Sequence, residues 1–437
     1  MSAYLLLSSF EQRKSALIDG VDYLSHLEHF VYGESYEKYF DFNTQACFSI
    51  SRIGDELYID SSYYVGVDWV VKDKIAVYIQ PKLNQADVEI NFIQMLMDSL
   101  DHTENFDHLE HLIDIDHDSP WISVPNNQDI LSPLLVVQFL KLVQHIVRKG
   151  LKKSYYKVRR NLNNRVKGKV LVGQQLKRNI LKNRITHTVC EFEEYGVDFE
   201  ENQYLKSVLE FVSHYINEAN TYFTKQQKDD LTQILSYCKP AFEQIRGTVG
   251  LHKKIHVRKN VFYKDYEEAI RIGGLILKRF SYTVSLQESA KPFARLPPFW
   301  IDMSKLFELY VFAKLKAVFP GSDEITYHDR FLGNKETDIL IRTAGYQCVV
   351  DCKYKPQYAD NTPSLEDKRQ LAGYTRLKSV YNKLGVSLSS VVKGVIIYSN
   401  QMSSSQIEKE ELFSDKNKMG EYVDFYKIGV SLPEKRS

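Results

Sequence analysis

Two short runs near the C-terminus decide the fold of the last third of the chain: TDILI at residues 337–341 and VVDCKYK at residues 349–355. Both runs are largely apolar and contain β-branched residues, and a turn with Gly345 separates them, so we expect two neighbouring strands. Successive side chains of a strand point to opposite faces, which places Asp351 and Lys353 on the same face. An acid and a base side by side on an apolar strand indicate a functional site.

The residue types at this site fit metal-dependent hydrolysis of a phosphodiester bond. Asp338 begins the first strand and Asp351 lies on the second, and two carboxylates can hold a hard divalent cation such as Mg²⁺, which prefers oxygen ligands. Such a cation activates a water molecule and stabilises negative charge in the transition state. Lys353 could position or deprotonate that water and offset the charge. Each residue taken alone also has a purely structural explanation, as a turn cap or as half of a surface ion pair.

The elements around these strands predict an α/β domain at the C-terminal end. Apolar periodicity indicates, in order, a helix over residues 303–317, strands over 337–342 and 347–354, a helix over 365–381 and a strand over 391–398. This order favours a mixed sheet flanked by helices. Prolines at positions 292, 297 and 298 break both helix and ladder, so the segment 291–298 is interpreted as a linker that ends the preceding domain.

The whole chain has 437 residues, which is too long for one compact core, and two or three domains are expected. We predict a β-rich region over residues 1–130, a mainly helical and basic region over 131–295, and the α/β domain over 296–437. Hydrophobic residues make up 43% and charged residues 26%, which is typical of a globular protein and excludes a disordered or membrane-embedded chain.

Cysteine usage and the N-terminal segment bear on the cellular compartment. The five cysteines are odd in number and no pair has CxxC spacing, which argues against a disulfide framework or a cysteine zinc site. The apolar run at the N-terminus is too short for a signal sequence, and no stretch reaches the apolar length of a membrane span. We therefore expect a cytoplasmic protein without membrane contact.

Residues 148–184 carry many lysines and arginines without a single Asp or Glu, and an acidic run follows at residues 191–201. The basic block could bind DNA phosphates, dock on an acidic face of a partner protein, or simply pair with the acidic run. The sequence leaves these three alternatives open. The candidate residues for binding DNA or a partner are Lys152, Lys153, Arg159, Arg160, Arg165, Lys167 and Lys169.

The pattern of Asp338 followed by Asp351-Cys352-Lys353 resembles the PD-(D/E)xK nuclease superfamily. The resemblance implies that the backbone carbonyl of Cys352 also reaches the metal. Gln370 and Tyr374 are spaced to share one face of the following helix, and they resemble the QxxxY element of RecB-like nucleases. Glu308 lies in the preceding helix, where related nucleases carry an acid near the metal. The resemblance therefore implies six catalytic residues.

Further blocks at residues 79–83, 166–206 and 297–308 resemble the McrC family, the nuclease subunit of McrBC-type modification-dependent restriction systems. The resemblance implies a DNA endonuclease that uses Mg²⁺ or Mn²⁺ on modified double-stranded DNA. It also implies a partner, a McrB-like AAA+ GTPase ring, which the N-terminal region of the family contacts and activates. The sequence has no GxxxxGK[ST] motif, so such a motor would act in trans. The alternatives are a stand-alone or repair-type nuclease of the same fold, and a DNA-binding, motor-activating scaffold with an inactive core.

Overall fold

The structure is a computed structural model, and it describes residues 4–18, 24–40, 45–81, 90–99, 108, 112–116, 119–125, 131–218, 225–246, 264–286, 293–321, 323–331, 335–355 and 362–434. The chain divides into two compact units, one formed by residues 1–128 together with 291–437 and the other by residues 129–290. The molecule is therefore a multidomain α/β protein. The sequence predicted three domains, over residues 1–130, 131–295 and 296–437. This division stays a proposal, since the first and last of these parts belong to one compact unit.

The described residues form strands and helices throughout both units. The strands are β1 Leu5–Phe10, β2 Ala16–Leu17, β3 Ser35–Tyr39, β4 Ala46–Ile53, β5 Glu56–Ser61, β6 Tyr64–Val71, β7 Ile75–Gln80, β8 Ile113–Ile115, β9 Ile122–Pro125, β10 Ser154–Asn163, β11 Lys169–Val170, β12 His187–Gly196, β13 Phe293–Leu296, β14 Phe299–Asp302, β15 Ile325–Phe331, β16 Lys335–Ile341, β17 Cys348–Lys353, β18 Lys393–Ser399 and β19 Phe425–Val430. The α-helices are α1 Phe92–Ser99, α2 Leu131–Lys149, α3 Val172–Arg178, α4 Glu200–Glu218, α5 Lys225–Cys238, α6 Lys264–Leu286, α7 Met303–Val318, α8 Leu365–Tyr374 and α9 Lys378–Leu384.

One sheet joins the beginning of the chain to its last third, with strand order β1-β7-β6-β14-β8. Strand β14 pairs with β6 on one side, where Phe299 faces Val67, and with β8 on the other. The two backbones approach so closely at Gly66 that an added Cβ would lie 2.0 Å from the carbonyl oxygen of Phe299. Trp300 on β14 packs into the apolar cluster of the N-terminal strands, and its Nε1 donates a hydrogen bond to Asp68 at 3.0 Å.

The prediction of a linker over residues 291–298 is wrong for residues 293–296, and residues 291–292 lie outside the described residues. Residues 293–296 form β13, which pairs antiparallel with β9. The prolines at 297 and 298 lie between β13 and β14, at strand ends where a missing backbone donor breaks no ladder. A chain cut near residue 295 would therefore separate β14 from the strands on either side of it.

A five-stranded mixed sheet forms the other half of this unit, with order β15-β16-β17-β18-β19. Strands β15, β16 and β17 are antiparallel neighbours, whereas β17, β18 and β19 run parallel. Helix α7 packs on β15 and β17, and helix α8 packs on β17 and β18. The sequence correctly predicted α7, β16, β17 and β18. It missed β15 and β19, and the helix expected over residues 365–381 is interrupted between α8 and α9.

The second unit contains the predicted helices of the middle region, α2 and α4 to α6, together with α3 and a three-stranded antiparallel sheet, β10-β12-β11, that the sequence did not predict. Helix α2 packs on α5 and α6, and α4 packs on the same two helices. Buried Asn202 on α4 joins several segments, because it donates to the carbonyls of Lys152 and Val197 and accepts from Tyr266 Oη.

All five cysteines lie in described segments as buried free thiols. Among the described residues, no helix combines the length and the apolar character needed to cross a membrane.

Candidate functional site

The register of β16 and β17 brings the two predicted aspartates to facing positions. Ile339 pairs with Val350, so Asp338 and Asp351 each lie one residue beyond the last ladder pair. The Asp338 carboxylate reaches across the gap and accepts a hydrogen bond from the backbone N–H of Cys352 at 2.7 Å. Asp351 is 1% exposed, so its carboxylate is almost inaccessible to water.

Lys353 connects Asp351 to helix α8. Its Nζ donates a hydrogen bond to Asp351 Oδ1 at 2.9 Å and a second to Gln370 Oε1 at 3.1 Å. The amide nitrogen of Gln370 in turn donates to Tyr374 Oη at 3.0 Å, which is possible because residues four apart share one helix face. The structure thus brings four of the six predicted catalytic side chains, Asp351, Lys353, Gln370 and Tyr374, into one hydrogen-bonded chain.

Burial and neighbouring charges shift the pKa values of the ionisable side chains in this site. Burial raises the pKa of Asp338 above its ordinary value, and the nearby charge of Glu308 raises it further, although Lys353 opposes both effects. Burial also raises the pKa of Asp351, with the charge of Asp338 as the next cause. For Lys353, burial alone would lower the pKa, but the carboxylates of Asp351 and Asp338 raise it instead. Two acids with raised pKa values in one site are typical of a functional centre.

The donor set at Asp338 and Asp351 fits a hard divalent cation. Within the described residues, no three His, Cys, Asp or Glu side chains come together as a metal cage. Mg²⁺ needs no such cage, because it commonly binds through one or two carboxylates and keeps several waters. Asp351 Oδ2 lies 2.9 Å from Lys353 Nζ but accepts no hydrogen bond from any described residue, so this buried oxygen keeps capacity for a ligand. The carbonyl of Cys352 is the third oxygen that the resemblance to PD-(D/E)xK nucleases implies.

Glu308 lies on α7, and two side chains of β15 hold its carboxylate. Its Oε2 accepts hydrogen bonds from Tyr327 Oη at 3.2 Å and from the His328 ring Nε2 at 2.8 Å. The charge of Glu308 is the second cause, after burial, that raises the pKa of Asp338. Burial alone would lower the pKa of His328, but the hydrogen bond and charge of Glu308 raise it.

A family model described as "McrBC 5-methylcytosine restriction system component" matches residues 60–384. The chain belongs to this family. The match covers most of the chain and includes all six predicted catalytic residues, and it confirms the resemblance to McrC of McrBC-type systems that the sequence blocks indicated.

Solved structures of McrBC assemblies are among those similar to this McrBC component, and no curated protein sequence matches it. The first is a refined half-complex from a tetradecameric assembly of Thermococcus gammatolerans McrB AAA+ hexamers with bound McrC; it has 16% identity and a TM-score of 0.40, and the alignment covers 98% of this chain and 94% of that chain. The second is a cryo-EM structure of the Thermococcus gammatolerans McrBC complex, with 15% identity, a TM-score of 0.28, and coverage of 72% of this chain and 88% of that chain.

The basic candidates of this McrBC component fall into two groups. Four have partners within the second unit: Lys152 with Glu201 at 2.7 Å, Arg159 with Glu191 at 2.5 Å, Arg160 with Glu194 at 3.1 Å, and Lys167 with the Phe192 ring at 4.3 Å from its centroid. Lys153, Arg165 and Lys169 are exposed, and among the described residues they form no ion pair. Pairing with the acidic run therefore accounts for part of the basic block and not for all of it.

Sequence reasoning missed four side chains around the site. Lys355 forms an ion pair with buried Asp367 at 2.7 Å, and the charge of Asp367 acts on both Asp351 and Lys353. The alternation of Asp351, Lys353 and Lys355 along β17 and just beyond it was a signal for Lys355. No comparable signal marked Tyr327 and His328, because β15 itself was not predicted.

Proposed function

We propose that this chain is the DNA endonuclease subunit of a McrBC-like restriction system, with a PD-(D/E)xK nuclease core that hydrolyses phosphodiester bonds with Mg²⁺ or Mn²⁺. The observation that carries the proposal is the Asp338 and Asp351 pair at the open end of the β16–β17 ladder, with Lys353 hydrogen-bonded to Asp351 at 2.9 Å. Membership of the McrBC family supports it independently.

Each side chain has a specific task in this proposal. Asp338, Asp351 and the carbonyl of Cys352 hold the cation, which when bound supplies an activated water and stabilises charge on the phosphate. The charges of Asp351 and Asp338 raise the pKa of Lys353. Its ammonium is suited to orient the water and to offset phosphate charge. Gln370 fixes the Lys353 ammonium from the helix side, and Tyr374 fixes Gln370.

The proposed partner is a McrB-like AAA+ GTPase ring, and the proposed substrate is modified double-stranded DNA. The family description names a 5-methylcytosine restriction system, and the sequence has no phosphate-binding loop with which to drive translocation. Exposed Lys153, Arg165 and Lys169 are available to bind DNA phosphates or an acidic surface of the ring. The intact set of Asp338, Asp351 and Lys353 argues against the alternative of an inactive scaffold.

The test compares cleavage of methylated and unmethylated DNA by the full chain with and without a McrB-like GTPase, in Mg²⁺, Mn²⁺, Zn²⁺ or excess chelator. We expect cutting only with Mg²⁺ or Mn²⁺, and strongest with the partner and GTP present. Cleavage that persists in chelator would contradict the metal assignment. Equal cleavage without the partner would favour the stand-alone nuclease, and GTPase stimulation without any cleavage would favour the scaffold.

A further inference from the structure

The backbone of His328 has an unusual conformation for a residue inside a strand. Its φ is +50°, in the left-handed region that costs a residue with a side chain about 1 kcal/mol or more. Its neighbours keep their ladder pairs with β16, since Tyr327 faces Ile339 and Asp329 faces Thr337. The register therefore puts His328 opposite Asp338. Glycine would adopt this conformation without strain, so the backbone alone does not explain a histidine here.

The unusual backbone has a direct effect on where two side chains lie. Successive side chains of a regular strand point to opposite faces of the sheet. Here the consecutive rings of Tyr327 and His328 stack instead, with centroids 4.0 Å apart and planes 16° from parallel. Both donate to the same oxygen, Glu308 Oε2, at 3.2 and 2.8 Å. The second ring nitrogen of His328 lies 3.3 Å from Glu336, which ties the ring to β16.

We propose that His328 is a positioning residue that, together with Tyr327, holds the Glu308 carboxylate beside Asp338 and so completes the acidic side of the catalytic site. This inference rests on the proposed metal-dependent nuclease function. Glu308 is partly exposed on α7, and repulsion from Asp338 favours turning its carboxylate towards water. Two hydrogen bonds to one oxygen oppose that rotation. The strained backbone of His328 thus serves to hold the Glu308 carboxylate in position.

The sharpest variant is His328→Gly, because glycine accepts the positive φ and removes only the ring. The chain offers a matched control in Asp73, which has a φ of +60° in the turn between β6 and β7. Asp73→Gly relieves the same kind of backbone strain away from the site. His328→Asn is the conservative variant, since asparagine tolerates the left-handed region and keeps an N–H donor.

Metal affinity is the first readout, measured by calorimetric titration of the isolated full-length chain with Mn²⁺. We expect the Mn²⁺ dissociation constant to rise about tenfold in His328→Gly, as is typical when a residue that orients a ligand group is removed. The turnover number for DNA cleavage should fall about 10- to 100-fold while KM for DNA changes little. His328→Asn should recover part of both losses, and Asp73→Gly should match the wild type. Neither glycine variant should lower the midpoint of thermal unfolding.

A double variant tests whether His328 affects activity and Mn²⁺ affinity through Glu308. If His328 acts through Glu308, then Glu308→Gln alone and Glu308→Gln with His328→Gly should lose the same amount of activity and Mn²⁺ affinity. A further loss in the double variant would overturn the positioning role, and so would wild-type behaviour of His328→Gly while Asp351→Asn abolishes binding and cleavage. A wild-type chain that neither binds Mn²⁺ nor cuts DNA would instead overturn the proposed function, and this inference with it.

Discussion

Replacing Asp351 by asparagine should separate the function of the site from the stability of the fold. The change keeps the shape of a side chain that is 1% exposed and removes its negative charge. We expect metal-dependent cleavage to fall by about 1000-fold or more. A bound cation stabilises the transition state by several kcal/mol, and each 1.4 kcal/mol corresponds to about a factor of ten in rate.

The same substitution should stabilise the metal-free protein. Burial and the charge of Asp338 raise the pKa of Asp351, so the ionised carboxylate is disfavoured in the fold despite its hydrogen bond from Lys353. A tenfold change in proton affinity corresponds to about 1.4 kcal/mol. For a unit of this size, about 1 kcal/mol moves the midpoint of thermal unfolding by roughly 2–4 °C. An amide oxygen can still accept the bond from Lys353, so we expect a rise of about 3 °C in chelator.

The assay pairs DNA cleavage with thermal unfolding in chelator and in excess Mg²⁺. Wild-type protein should gain stability from Mg²⁺, whereas Asp351→Asn should be insensitive to it. The control is Asp329→Asn on the adjacent β15, whose carboxylate pairs with Lys383 at 2.6 Å. It should lose a little stability and keep its cleavage activity. Cleavage by Asp351→Asn at the wild-type rate, or a variant that is inactive and also several degrees less stable, would refute the reasoning.

Three further predictions concern the same unit. Gln370→Ala should lower the cleavage rate about 10- to 100-fold at unchanged thermal stability, because the Lys353 ammonium loses its 3.1 Å acceptor; steady-state kinetics and a melting curve measure this. In chelator the chain should lose stability as the pH rises from about 4 to about 7, since over that range the folded chain holds the protons of Asp338 and Asp351 more tightly than the unfolded chain does; unfolding across a pH series checks the sign, and a gain in stability would contradict it. Fragments 1–290 and 296–437 should aggregate when expressed separately, because the cut removes β14 from between β6 and β8; two monomeric fragments in size-exclusion chromatography would contradict this.

The part of the site that the sequence predicted depends on local pattern alone. Strands β16 and β17 are short apolar runs joined by a turn, and the period of two fixes Asp351 and Lys353 on one face. Gln370 and Tyr374 follow from the period of a helix. Each of these inferences uses residues that are close in sequence. Their meeting at Lys353 required only that α8 pack on β17, which the predicted element order already favoured.

The parts that the sequence did not predict depend on pairing between distant segments. Strand β15 is an edge strand whose polar and charged residues, ITYHDRF, show no simple alternation, and the left-handed His328 disturbs the pattern further. Strand β14 has only four residues, and its assignment depends on its partner β6, which lies more than two hundred residues earlier in the chain. Local propensity carries no information about such pairing, and the nearby prolines favoured a linker instead.

Strand β14 also explains why the first eighty residues matter to the part of the chain that carries the candidate site. It ends at Asp302, which pairs with Tyr64 and whose side chain accepts a hydrogen bond from the backbone N–H of Lys305 as the N-terminal cap of α7. The start and direction of α7 are therefore fixed by the N-terminal sheet, and α7 carries Glu308 to the site. A second link lies beyond Lys353, where buried Tyr354 donates to Glu11 in the segment after β1. Within this unit, the strands at the start of the chain are part of the framework that holds the carboxylates in place.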